Sequence, residues 1–506
     1  MMLRRIPYRL LCTLFSVLLL CACSDSDGTY VDNQQNVGNI YVNFAISVAN
    51  GNSGMRDATP KGGENGDGRE AGFVRENTIS GITVILYQDA TGINTSADPT
   101  LDLVRYFPVS ERATGTMSDP KPIEVTYTTG QQPLGKHNLD LTKEYHAIVI
   151  ANAPEVAASL TEGTSKLSDI RDVTLSTIYT GNPSYSADNI TNFAMSSEKD
   201  NKIDFSSVIV KNLDGTTPHT PGKDMYYDLT GQPVIIERLA ARIDFWSKNS
   251  NGYKTSSDNA AYTIPGYEYN VTSSTDKFVV TGIVPFNLVN GIADYGEEYL
   301  IKRLRTDITD VYTTSYLAVE TSSTYVIDPK TMDKVTAEHP KLTSSLGDVY
   351  TLIGNDKIEN TTDNPYYHSI ATMHASTSKS PIEDKENVVV AYPMENCLLP
   401  TSKLFYYATG VAIIGYYYVN GTGTGTRYVY LGYLRHQGEG ETYDIQPYTT
   451  PLSSTDAMGG TTAMNFGIVR NNIYRVSINS IDKKGTLELK IKVKKWDTFT
   501  HSWIYM

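Results

Sequence analysis

The sequence predicts a mostly β protein with few short helices, on two observations. Tyr is abundant, at 36 of 506 residues, with Thr, Val and Ile rich beside it. Such side chains suit pleated, half-buried surfaces. Apolar residues also recur at every second position in stretch after stretch, while helical spacing is scarce. At 506 residues the chain is long enough for two domains or three.

The first element is a leader. Arg4 and Arg5 precede an apolar run from Leu10 to Leu20, which ends in Leu20-Cys21-Ala22-Cys23. A basic start, a short apolar stretch and a small residue before the cut describe an export signal rather than a membrane span. The small Ala22 before Cys23 makes a lipoprotein box, so Cys23 is expected to carry the lipid and become the new N-terminus. Cys21 follows bulky Leu20 and fits a small-residue pocket poorly. Ser24-Asp25-Ser26-Asp27-Gly28 then reads as a flexible tether. One acyl chain anchors only marginally, whereas two or three hold firmly.

The strands follow in order. In Asn39 to Val48, Ile40, Val42, Phe44, Ile46 and Val48 share one face. A long Gly- and Asn-rich loop from Asn50 to about Gly72 contains Arg56 and Arg69. Its length exceeds ordinary connections, which marks it as functional or disordered. Strands are expected at Ile79–Tyr87 and at Glu144–Ala151, the latter running into a turn at Asn152-Ala153-Pro154. Residues 155–175 are the best helix candidate of this half. Val234 to Trp246 is a long apolar segment carrying Arg238 and Arg242. A domain boundary is placed near residue 229, just before it. The second half holds a hairpin, Val411–Val419 and Arg427–Leu434 flanking Asn420–Thr426. Asn472–Asn479 and Thr486–Trp496 close the chain, and in the last Leu487, Leu489, Ile491 and Val493 alternate with charged residues.

Composition excludes several functions. A net charge of −13 with scattered Lys and Arg argues against nucleic-acid binding and against a basic membrane patch. Of four cysteines, Cys12, Cys21 and Cys23 lie in the leader, leaving Cys397 alone with no internal disulfide. Cys397 reads as a small buried apolar residue. No metal-ligand spacing is present, and His368 and His374 read as loop or core histidines. Gly421-Thr422-Gly423-Thr424-Gly425 is followed by a Tyr-rich strand rather than a helix, so it is a turn and not a phosphate loop. Glu64-Asn65-Gly66-Asp67-Gly68 lacks the closing acidic residue of a calcium loop. No nucleophile elbow or framed pair of carboxylates appears, so no enzyme and no cofactor is expected.

One arrangement carries mechanism. An apolar-faced first strand is joined to the rest by a long loop with arginines. Cutting that loop would free the strand together with its lipid anchor. The groove left behind would favour another strand, supplied by a neighbouring subunit. The C-terminal region, Leu487 to Val493 and then Trp496, Phe499, Trp503, Ile504 and Tyr505, is the natural donor. Such a head-to-tail contact does not close on itself and builds filaments. The plainer alternative is that these are the first and last strands of one sandwich, with solvated loop arginines.

Several segments together resemble the Bacteroidales fimbrillins, the subunits of type V pili. They are the lipobox at Cys23; Gly66-Asp67-Gly68-Arg69-Glu70 before Asn77–Tyr87; Tyr145–Asn152 with Ala153-Pro154; and Phe193-Ala194-Met195-Ser196. Val234–Arg238 with Ala241-Arg242-Ile243 continues the series. Asn465–Val476, the most specific, resembles the C-terminal signature of the minor-fimbria major-subunit branch. The resemblance implies two transthyretin-like β-sandwich domains in tandem and export as a lipoprotein to the outer-membrane surface. It further implies removal of the first strand by an arginine-specific protease, then donor-strand exchange with other fimbrial subunits and a role in adhesion.

Carried onto this chain, the lipid site is Cys23. The cut falls after Arg56, which follows the first strand closely, or after Arg69 or Arg75. The donor is either the final ten residues, with Trp503 and Ile504, or the longer strand with Leu487, Leu489, Ile491 and Val493. The expected division is leader 1–22, tether and removable strand 23–56, N-terminal sandwich 57–228 and C-terminal sandwich 229–506. Tip or anchor subunits of the same fimbria are variants of this reading. A reading from a different class is a surface glycan-binding lipoprotein, with Tyr and Trp246, Trp496 or Trp503 stacking on sugars.

Overall fold

The computed structural model describes residues 40–48, 69–71, 73–88, 98–114, 124–128, 132–135, 144–172, 174–175, 179–180, 190–197, 201–214, 216–217, 220, 223–286, 299–300, 368–377, 379–382, 385–393, 396–397, 409–434, 442–444, 446–447, 467–468, 471–482 and 487–497. Within them the chain is mostly strand, as expected, and its α-helices are short, Pro154–Ser159 and Ile370–Ala375.

The first half runs through β1 (Ile40–Val48), β2 (Arg69–Ala71), β3 (Gly81–Tyr87), β4 (Leu101–Pro108), β5 (Ser110–Thr114), β6 (Glu124–Thr128) and β7 (Gln132–Gly135). It continues with β8 (Glu144–Ala151), β9 (Thr174–Leu175), β10 (Met195–Ser197), β11 (Asn201–Asp204), β12 (Val210–Asn212) and the long β13 (Met225–Arg238). Eleven of these form one sheet in the order β4-β3-β8-β10-β13-β1-β6-β5, with β11 beside β8, β12 beside β13 and β7 beside β1. In that order β4 and β1 stand five spacings apart, roughly 24 Å on a flat sheet. Yet the rings of Phe44 on β1 and Phe107 on β4 lie 5.8 Å apart. The sheet therefore folds over on itself, and Val42, Ile46, Ile82, Ile85, Ile148 and Ile236 share one core. All seven residues of β3, and all of β8 but Glu144, are buried. Strands covered on both faces read as continuous apolar runs rather than as alternation.

The second half comprises β14 (Arg242–Trp246), β15 (Tyr253–Lys254), β16 (Gly266–Asn270), β17 (Lys277–Phe286), β18 (Tyr299–Leu300), β19 (His368–Ser369), β20 (Lys379–Ile382) and β21 (Lys385–Ala391). After these come β22 (Asn396–Cys397), β23 (Gly410–Tyr418), β24 (Thr426–Tyr433), β25 (Thr442–Asp444), β26 (Gln446–Pro447), β27 (Gly467–Ile468), β28 (Asn472–Ile481) and β29 (Leu487–Asp497). One sheet has the order β2-β29-β28-β14-β21-β20, with β25 on β29; the other has β15-β16-β17-β23-β24-β26, with β19 on β17. Their inner faces meet through Ile243, Phe245 and Val476 on one side and Tyr267, Phe278 and Ile413 on the other. The Phe245 and Tyr267 rings are 6.0 Å apart. The molecule thus has two β-sandwich cores.

Local expectations are met at β8, at β28 and β29, and at the hairpin, where Tyr417 pairs with Thr426 and Gly410 with Tyr433. Asn420, Gly421 and Gly423 all take positive φ in its turn, a conformation that Gly and Asn tolerate. One expectation needs correction. Residues 155–175 do not form one helix: a six-residue α-helix is followed by a 3-10 turn at Leu167–Asp172 and then by β9. Gly163, with φ +71, lies between the two helical pieces. The apolar segment Val234–Trp246 spans two strands, β13 ending at Arg238 and β14 beginning at Arg242. Residue 229 lies inside β13. Leu239 and Ala240 belong to the first core and Ala241 to the second.

Candidate strand-exchange site

The site is β1 and what surrounds it. Val42, Phe44 and Ile46 are 0%, 1% and 0% exposed, while Tyr41 and Asn43, which alternate with Val42 and Phe44, are only partly covered. Alternation along the strand thus sends one face into the core. Along one edge β1 runs parallel to β13, from Ile40 opposite Met225 to Val48 opposite Ile236, with an irregularity between Phe44 and Ile46. Along the other edge its first half is antiparallel to β7 (Val42 opposite Gln132) and its second half to β6 (Ile46 opposite Tyr127). Leu229, Val234 and Ile236 of β13 are buried beside it. On the outer face the Asn43 side-chain amide donates to the Tyr226 hydroxyl at 3.3 Å. Burial pushes that hydroxyl's pKa up, the Asn43 hydrogen bond working against it.

Among the described strands β7 pairs with β1 alone, and β5 and β6 reach the rest of the sheet only through β1. Taking β1 away would therefore open a slot with two unpaired edges, β13 on one side and β6 with β7 on the other. The three buried side chains, at about 1.5–3 kcal/mol each, give an upper bound of about 5–9 kcal/mol for refilling its apolar floor.

The residues singled out from sequence fall in different places. Cys23 and Arg56 lie outside the described residues, as do Trp503 and Ile504. Arg69 is in β2, which runs parallel to the end of β29, with Arg69 opposite Lys495. Arg75 is in the 3-10 turn Val74–Asn77, its guanidinium 4.4 Å from the centre of the Phe73 ring. Leu487, Leu489, Ile491 and Val493 are in β29, opposite Ile481, Ile478, Val476 and Tyr474 of β28. β25 covers the outer edge at Lys490–Lys492, and β2 covers it at Lys495–Asp497. These four apolar residues thus belong to a strand of the chain's own second sandwich.

Of the tryptophans weighed as sugar platforms, Trp246 is buried in β14 at 4% exposure, with the Lys248 ammonium 4.6 Å from its ring centre. Trp496 lies in β29. His374 packs flat on Tyr253 at 3.8 Å, and its Nδ1 meets a Glu386 oxygen at 2.6 Å. Among the described residues no group of three or more His, Cys, Asp or Glu is gathered for a metal ion. No described helix is long and apolar enough to cross a membrane.

Sequence reasoning missed β13, β6 and β7 as the walls of the slot. The pairing partners lie far along the chain, and only the Val234–Ile236 end of β13 carries a strand signal.

No family model matches the chain, and no curated protein does. Solved structures are similar to it. One is a candidate cell adhesion protein of Parabacteroides distasonis, 13% identical with a TM-score of 0.39, over 91% of this chain and 99% of that one. The tip fimbrial protein Mfa3 of Porphyromonas gingivalis, truncated at its C-terminus, is 10% identical with a TM-score of 0.36, over 90% of this chain and 100% of its own. A fimbrilin of the same organism is 10% identical with a TM-score of 0.34, over 92% and 99%. These are distant likenesses in the course of the chain.

Proposed function

We propose that this chain is a structural subunit of a surface fimbria of the type V pilus kind, without catalytic activity. In this reading it is exported as a lipoprotein acylated at Cys23 and held on the outer membrane. An arginine-specific protease then cuts the loop between β1 and β2, and subunits polymerise by donor-strand exchange into an extracellular filament that supports adhesion. The carrying observation is the place of β1: an apolar-faced strand inserted between β13 and β6/β7, joined to β2 across residues 49–68.

Arg56, which follows β1 closely in sequence, is preferred over Arg69 and Arg75 as the site of the cut. A protease takes its substrate as an extended, unpaired backbone. The Arg69 backbone is paired to β29, and the Arg75 carbonyl accepts from the Thr191 hydroxyl at 3.3 Å, so a cut at either needs local opening first. The segment after Asp497, with Trp503 and Ile504, is the favoured donor. Lending Leu487–Val493 instead would break the β28 ladder.

Deleting residues 498–506 tests the reading, because it leaves β29 whole. The expected outcome is a folded, correctly cut subunit that forms no SDS-resistant ladders. Unchanged polymerisation would overturn the segment after Asp497 as the donor strand.

A further inference from the structure

The crossing from one sandwich to the other passes through a buried network of charged groups. Arg238, Arg242 and Arg475 are 0%, 1% and 0% exposed, and Glu76 and Asp244 are both fully buried. Buried charges are tolerated only when paired and hydrogen-bonded, and here the partners come from four separate parts of the chain.

Glu76, in the short turn after β2, is the hub. Its carboxylate accepts from the Phe73 N–H at 2.7 Å, from the Arg242 Nη1 at 3.3 Å and from the Tyr392 hydroxyl. The backbone of the same turn is held too, since Arg238 Nε donates to the Glu76 carbonyl at 3.0 Å and its Nη2 to the Asn77 side chain. Arg238 Nη1 reaches forward to Asn471 at 3.0 Å, and the Asn471 N–H donates to the Ala240 carbonyl at 2.9 Å. Arg242 grips Asp244 with two donors, Nε at 2.9 Å and Nη2 at 2.8 Å. Asn387 donates to Asp244 at 2.8 Å and accepts from Arg475 Nε at 2.9 Å. Charge-assisted and bidentate bonds of this kind are the strong ones, and they fix geometry as well as distance.

Two features make the network more than local cohesion. Arg238 ends β13, the wall of the β1 slot, whereas Arg242 and Asp244 begin β14, which pairs parallel to β28. Glu76 and Asn77 also hold the first chain segment that follows β2 and the loop. That grip involves no residue of β1.

We propose that this network is a lock joining the two sandwiches into one mechanical body, and that it pins residues 73–77 to the crossing whether or not β1 is present. A pull on a strand in the β1 slot would then pass along β13, through Arg238 and Arg242, into β14 and β28. None of its bonds involves β1, so its test on the uncut chain is independent of the strand-exchange reading.

Hydrogen exchange by mass spectrometry on the full chain tests it, with Glu76→Gln. The expected result is that exchange rises together, by roughly tenfold or more, in three distant segments: 73–77, 239–246 and 471–477. β3 and β17, deep in the two cores, stay unchanged. Exchange rising in 73–77 alone would reduce Glu76 to a cap on its own turn and overturn the proposal. A uniform rise through both cores would overturn it as well. Tyr392→Phe removes only one hydroxyl from the hub and decides the matter if the first variant does not fold. It is expected to loosen the same three segments in step, by a smaller factor, and an unchanged 239–246 segment would refute the lock.

Discussion

Phe44→Ala is the sharpest probe of β1. The side chain is 1% exposed and packs against Phe107 across the fold of the sheet, with ring centroids 5.8 Å apart. Truncating a core Phe costs about 3–5 kcal/mol, from lost transfer free energy plus the cavity left behind. Tyr41→Ala, on the partly exposed face of the same strand, should cost about 1 kcal/mol, near the centre of the range for ordinary substitutions. The assay is urea unfolding of the uncut chain, where a lower midpoint at unchanged slope reports stability alone. The same pair is then compared in subunits recovered after cleavage. Phe44→Ala is expected to weaken the uncut chain by the full amount and to leave cut, assembled subunits indistinguishable from wild type. Equal effects of the two substitutions would refute the one-sided burial of β1. A defect of Phe44→Ala that persists in assembled subunits would refute its release.

Two further outcomes follow from particular contacts. Asn152, at φ +57, accepts from the Ser80 N–H at 2.9 Å and donates to the carbonyls of Thr78 and Phe193, both at 2.8 Å. Asn152→Ala should lose about 2–4 kcal/mol in unfolding experiments, since partly buried bonds are removed and Ala is strained at that φ; Asn152→Gly should recover only the strain. At Glu386 burial is the largest influence and raises the carboxyl pKa, but Tyr267, His374 and Lys379 together outweigh it and hold it below the ordinary 4.5. A depressed carboxylate contributes stability that is present above its unfolded value and is lost as pH falls through the folded one. The wild type should therefore lose stability below about pH 4.5, and Glu386→Gln should flatten that part of the profile when melting is followed against pH.

The legible parts of the fold are those written in short-range pattern. β29 shows clean alternation and β8 a continuous apolar run, and the Asn420–Thr426 turn announces its hairpin. β13 is half hidden, because Gly231 and Pro233 interrupt it and Met225–Thr230 carries no simple period. The parallel pairing of β1 with β13 joins residues nearly two hundred positions apart, and no local pattern encodes such a register. The buried network shows the same limit. Arg238 and Arg242 are visible as charges inside an apolar segment, but Glu76 and Arg475, which make their burial tolerable, are close only in the folded chain. At the candidate site the apolar face of β1 was legible, whereas its two walls were not.

The central claim is that β1 leaves with its lipid so that another strand can take its place. N-terminal sequencing and intact mass of the protein recovered from the native cell surface test it most directly. The account predicts a chain that begins after Arg56, without lipid, in SDS-resistant ladders. A chain still beginning at an acylated Cys23 would contradict it and leave an anchor subunit or a binding lipoprotein.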